Sequence, residues 1–225
     1  MIFWEMSSDI SNSAGLEPCW PDRQPVRPPV LSPLLLVTGN RGKVRSAARF
    51  LGPLGIELKQ TDLPLVEIQD LSVARVASHK AWAAWQILRR PLVVEDGAFC
   101  IDELGGFPGP FAKYLVQTAG PLGIIRLADL TESRAAHFES ALVYVDNTGA
   151  HMTFTDNSQT GWVAEVPSGA RPADAWSGIW DVWVPLGCSV PLSALSEEQR
   201  EVRALANRTS SVFGQFSSWL GAADS

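Results

Sequence analysis

Lys43 closes the stretch "LLLVTGNRGK" (34–43), in which four aliphatic residues lead into a small polar turn. A strand ending this way before a helix lets backbone N–H groups and a lysine converge on an anion. The competing reading is a strand end with a solvated lysine. The stretch is not a P-loop, because only two residues separate Gly39 from Gly42-Lys43 and Val44 stands where Ser or Thr is needed. A second concentration of chemistry lies in "VVEDGAFCIDELGGFPGPFAKYL" (93–115), where Glu95 and Asp96 end an apolar run and a Gly-Pro-rich loop follows. Strand-end carboxylates offer the oxygen ligands that Mg²⁺ prefers. An acidic turn is the alternative.

Other chemistries are poorly supported. Cys19, Cys100 and Cys188 are too few and too scattered for a disulfide framework or a zinc motif, and read as reduced thiols of a cytoplasmic protein. His79, His137 and His151 have no metal-ligand spacing and read as surface or satisfied core histidines. A formal net charge of −6 argues against a surface built for a nucleic-acid polymer, while leaving room for a small phosphorylated ligand. Glu5 and Asp9 interrupt any apolar leader, and no run of about eighteen apolar residues exists, so neither secretion nor membrane insertion is expected.

These residues must be positioned by regular elements. Residues 1–32 contain "PCWPDRQPVRPPVLSP", too proline-rich for a helix or central strand, and are expected to form a flexible extension outside the domain spanning 33–221. Beyond it, 34–37 reads as a buried strand, 43–51 as a helix, 56–60 as a strand and 71–89 as a long helix. The run 92–96 reads as another buried strand. The stretch 110–129 reads as two helical pieces broken at Gly120-Pro121. Alternation through 137–166 around the turn 146–149 predicts antiparallel strands, and 196–220 one or two helices. The order predicts an α/β fold: a mixed, elongated twisted sheet flanked by helices, with a second lobe.

Taken together, "TGNRGK", "EDG", "ELGGFPGPFAKYL" and "GWVA" resemble the inosine triphosphate pyrophosphatase (Ham1-like) family, which hydrolyses non-standard purine nucleoside triphosphates. The resemblance runs from about residue 34 to 208 and is strongest up to roughly 165. It implies that Lys43 contacts the triphosphate, with Thr38 and Asn40 shaping the loop, and that Lys113 lies near the substrate. It also places Glu67, in "VEIQD", as a Mg²⁺ ligand and Asp96 as a group that binds metal or activates water, with Glu95 beside it. A nucleoside triphosphate substrate, Mg²⁺ and a homodimer are the partners implied.

The C-terminal third departs from the family pattern. "GIWDVW" (178–183) stands where a Phe-Gly-Tyr/Trp-Asp-Pro segment reads the base; Trp180 and Asp181 match, whereas Gly178, Ile179 and Val182 do not. Trp180 is expected to stack on the base, or else to be plain core. Asn207 and Arg208 occupy the place of a His-Arg pair, and the family's lysine falls on Val202. Arg200 or Arg203 could replace that charge, the alternative being a solvated helix face. Base preference is therefore where the chain should differ from its relatives, with inosine and xanthosine triphosphates poor substrates beside another, modified nucleotide. Two rivals to a Mg²⁺-dependent pyrophosphatase are a nucleotide-binding sensor with weak turnover and a specialised-metabolism hydrolase on the same fold.

Overall fold

The computed structural model describes residues 17–28, 33–170, 172–173, 175 and 177–221. Its centre is a seven-stranded sheet in the order β2 (Leu58–Thr61), β1 (Leu34–Val37), β3 (Leu92–Ile101), β5 (Ala135–Val145), β6 (His151–Val163), β7 (Trp183–Pro185), with the short β4 (Pro108–Gly109) paired to β3. β1 runs parallel to β2 and β3, and the remaining pairs are antiparallel, so the sheet is mixed.

All four residues of β1 are buried because they alternate between two cores. Leu35 and Val37 join Val73, Ala77, Ala81 and Trp85 of α2 (Val73–Leu88) on one face. Leu34 and Leu36 meet Phe50 and Leu51 of α1 (Arg41–Leu51), with Phe213 and Phe216 of α5 (Val212–Gly221), on the other. A third cluster, around Phe99, Ile101, Ile124, Val163, Ile179 and Trp183, binds the far ends of β3, β5 and β6 to α3 (Ala112–Ala128) and β7.

Strand β3 continues past the acidic pair, where the sequence suggested a stop. β5 pairs with it without interruption from Leu92↔Val145 to Ile101↔Ala136, so Gly97 and Ala98 stay extended. The break inside α3 is at Gly120, whose φ of 67° and ψ of −174° separate two helical pieces ahead of Pro121. The C-terminal region is two helices, α4 (Glu197–Ala206) and α5. Ser196 and Gln199 form a capping box at the start of α4.

Residues 17–28 contain neither helix nor strand, yet they are fastened to the body. The Trp20 indole stacks on His151 at 4.2 Å and its Nε1 donates to Ser78 Oγ at 3.1 Å. The Val26 amide donates to Asp146 Oδ2, and the Tyr144 hydroxyl donates to the Val26 carbonyl. The part of the extension holding Phe3 and Trp4 lies outside the described residues. Among the described residues, no helix is long and apolar enough to cross a membrane.

Candidate active site

The chain leaves β1 through Thr38 and Gly39 and enters α1 under a cap made by Asn40. The Asn40 Oδ1 accepts from the amides of Gly42 and Lys43, at 2.7 and 3.4 Å, and the Asn40 amide donates to Thr38 Oγ1 at 3.0 Å. Two first-turn N–H groups are thus already used, so the anion-binding capacity of this loop rests on the Lys43 ammonium and the end of the helix dipole. Gly39 suits its place, since a β-carbon there would lie 3.0 Å from the Asp62 carboxylate.

Lys43 reaches from α1 to the middle of β3. Its Nζ donates to the Glu95 carbonyl at 2.8 Å and stands 3.1 Å from Glu95 Oε2 and 3.6 Å from Asp96 Oδ1. Burial by itself would lower the pKa of this ammonium, but Glu95 and Asp96 together hold it above the usual lysine value. Burial pushes the Glu95 carboxyl upward, with Lys43 opposing the shift. Because side chains alternate along a strand, the adjacent carboxylates face opposite ways.

Asp96 opens into a polar cleft of about 540 Å³ that it shares with Lys43, Glu67, Lys80 and Lys113. Thr38 and Asn40 line the same cleft. Glu67 lies in the loop between β2 and α2, and its Oε1 meets Lys80 Nζ at 2.6 Å. The same nitrogen is 3.8 Å from Asp96 Oδ2. Glu67 and Asp96 thus converge on one small volume now spanned by an ammonium, and their hard oxygen donors fit Mg²⁺. Glu95 lines a different cleft and is committed to Lys43.

That second cleft, of about 590 Å³, is mostly apolar and shares Asn40, Lys43, Asp96, Gly97 and Lys113 with the first. Phe138, Ile179, Trp180, Trp183 and Leu192 form its hydrophobic lining. Trp183 meets Phe138 edge-on at 4.7 Å. The backbone approach of β6 to β7 that sets Trp183 depends on Gly161, where a β-carbon would fall 2.1 Å from the Val184 carbonyl oxygen. This gives the glycine of "GWVA" a packing reason.

The structure therefore brings Thr38, Asn40, Lys43, Glu67, Asp96 and Lys113 to one cleft, with Glu95, Trp180 and Asn207 lining its neighbour. Asp181, which is buried, and Arg208 are among the lining residues of neither. Asn207 caps α4 and donates from Nδ2 to Gln159 Oε1 of β6 at 2.9 Å. Arg200 lies over the Trp180 ring at 5.9 Å and Arg203 over the Trp183 ring at 5.4 Å, so these two cations of α4, a helix with no buried residue, rest on aromatic faces. Lys80 in the first cleft and Arg49, Gln159 and Trp183 in the second escaped the sequence reading. Lys80 alone carried a visible signal, as a charge set among the alanines of "SHKAWAAW" on an apolar helix side.

Comparison with known proteins gives the chain's family. Residues 34–182 match the Ham1 family. The chain is 32% identical over 186 residues to a dITP/XTP pyrophosphatase of Methanopyrus kandleri, covering 83% of this chain and 95% of that protein. It is 33% identical over 166 residues to inosine triphosphate pyrophosphatase 2 of Trypanosoma cruzi, covering 73% of this chain and 82% of the relative. A HAM1 protein structure from Coxiella burnetii superposes with a TM-score of 0.68 at 19% identity, covering 84% of this chain and all of the other. On the extent of the sequence match, this chain belongs to the Ham1 family.

Proposed function

We propose that this protein hydrolyses a non-standard or modified purine nucleoside triphosphate to the monophosphate and pyrophosphate, with Mg²⁺ as cofactor. The observation that carries the reading is the joining of two unlike clefts. One holds three lysines and four acidic residues, of which Glu67 and Asp96 converge on Lys80 while Asp62 and Asp70 line the wall; the other is walled by aromatic side chains, and Lys43, Asp96 and Lys113 belong to both. A nucleotide has the same division into a polyanion and a flat apolar base. The names of the relatives, dITP/XTP and inosine triphosphate pyrophosphatases, support the same substrate class.

In this reading Lys43, Lys80 and Lys113 bind the triphosphate oxygens. Glu67 and Asp96 would hold Mg²⁺, which when bound neutralises charge on the phosphates and on the leaving pyrophosphate. Asp96, flanked by Lys43 and Lys80, orients a water toward the α-phosphorus and takes its proton. Trp180 stacks on the base. The α3 region, with exposed Phe107, Tyr114, Leu122 and Leu130 in and around it, supplies an apolar surface for a homodimer. A panel of natural, deaminated and modified triphosphates, assayed for phosphate release with and without added inorganic pyrophosphatase and with metal varied, tests the reading. Release only when pyrophosphatase is present, lost in EDTA, is expected. Measurable nucleotide binding without hydrolysis of any member would overturn it in favour of a sensor.

A further inference from the structure

Cys100 and His137 are register partners across β3 and β5, and Glu139 follows two residues after His137 on the same sheet face. The thiol sulfur, a ring nitrogen and a carboxylate oxygen of these residues all lie within 4.8 Å of one another. His137 is already oriented: its Nδ1 is 2.7 Å from Asp102 Oδ1, and its Nε2 is turned toward Glu139 Oε1 at 3.5 Å. A carboxylate holding one ring nitrogen while the other points into a cluster of donors is the arrangement that supports a metal-ligating histidine.

We propose that Cys100, His137 and Glu139 form a site for a divalent transition metal, with Zn²⁺ the best match, separate from the Glu67–Asp96 pair. The mixed sulfur, nitrogen and oxygen donors suit Zn²⁺ and are wrong for Mg²⁺. Tetrahedral Zn²⁺ places its ligands about 3.5 Å apart, so the three side chains need to close by only about 1 Å. Asp102 stays outside the ligand set as the group that fixes the imidazole, and a water completes four-coordination. Loading exchanges the thiol proton for the metal: the S–H bond breaks, an S–metal bond forms and the proton leaves to solvent. The rival role, a reactive nucleophile, fits poorly, because Cys100 is only 4% exposed and its sulfur sits inside the sheet-face core. The spacing of these residues in the chain carries no metal signature; strand pairing alone assembles them. The cluster ties β3 to β5 on the face that also carries Asp96, so metal there would stiffen the strand that presents this carboxylate.

The test uses the full-length chain carrying Cys19→Ser and Cys188→Ser, titrated with Co²⁺ in Mg²⁺-containing buffer. A thiolate-to-cobalt charge-transfer band in the near ultraviolet is expected to saturate at one equivalent, to disappear in Cys100→Ser and to be displaced by Zn²⁺. His137→Gln, at a half-buried position, guards against misfolding. It should keep the circular dichroism of the parent while weakening Co²⁺ binding at least tenfold and abolishing the rise in Tm that Zn²⁺ gives the parent. Absence of the band in the parent, its persistence in Cys100→Ser, or unchanged Co²⁺ affinity in His137→Gln would each overturn the assignment.

Discussion

Lys80 Nζ lies 2.6 Å from Glu67 Oε1, joining α2 to the loop after β2, and stands 3.8 Å from Asp96 Oδ2. This ammonium holds together two carboxylates that would otherwise repel, and it occupies space a divalent cation would share. Lys80→Met should therefore lower kcat/KM about 10²-fold, as expected for losing one electrostatic group of the site, while lowering the Mg²⁺ concentration needed for half-maximal rate. Steady-state kinetics across a Mg²⁺ series checks both effects. An unchanged kcat/KM would remove Lys80 from the machinery.

The carboxylates themselves should be indispensable. Glu67→Gln and Asp96→Asn are each expected to cost about 10²-fold or more in turnover with little change in Tm, since both side chains line an open cleft. Full activity of Asp96→Asn would contradict the proposed role in activating water.

Lys43→Met leaves Glu95 buried without its cation, and breaking such a pair costs about 3–5 kcal/mol. The sign of the pH dependence follows from the upward shift that burial imposes on Glu95. Once Lys43 no longer opposes that shift, the folded state keeps the proton to a higher pH than the unfolded state, which releases it near the ordinary value of 4.5. Stability of the variant should fall as pH rises through the window above 4.5. Lys43→Met with Glu95→Gln should recover most of the loss. Urea titrations between acid and neutral pH measure this, and a loss independent of pH would contradict it.

The docking of residues 17–28 should weaken in mild acid. Burial lowers the pKa of His151 below 6.5, and its ring stacks on Trp20. The unfolded chain then takes up a proton before the folded one, so the stability this histidine contributes is present above pH 6.5 and is lost as pH falls toward the depressed value. Tryptophan fluorescence and Tm followed downward from pH 7.5 should show this, with the change reduced in His151→Gln.

Gly161→Ala should act on the base side alone. Its β-carbon would collide with the Val184 carbonyl, forcing β7 and Trp183 to shift at a cost of about 1–3 kcal/mol. KM for the nucleotide should rise several-fold while the Mg²⁺ dependence stays as in the parent.

What the sequence disclosed divides along physical lines. Short apolar runs such as 34–37, the turn at 146–149 and the Gly120-Pro121 break are local features, and each appears where local chemistry placed it. Lys43 and Asp96 were legible as candidates because each stands out in a recognisable stretch, Lys43 in the first helical turn after β1 and Asp96 as a charge within the apolar run of β3. The continuation of β3 past Asp96 depends on its partner β5, and the pairing of Lys80 with Glu67 depends on how α2 lies over the sheet. Likewise Arg200 and Arg203 gave only a charged helix pattern, with nothing to announce the tryptophans beneath them. Residues 17–28 read as featureless because prolines exclude helix and strand, but side chains such as Trp20 anchor a segment without either.

The central claim is that water attacks the α-phosphorus and that pyrophosphate leaves. Hydrolysis of the best substrate in ¹⁸O-labelled water, followed by mass spectrometry of both products, tests it most directly. The label should appear in the nucleoside monophosphate and be absent from pyrophosphate. Label in the pyrophosphate, or orthophosphate and a nucleoside diphosphate as first products, would contradict the account.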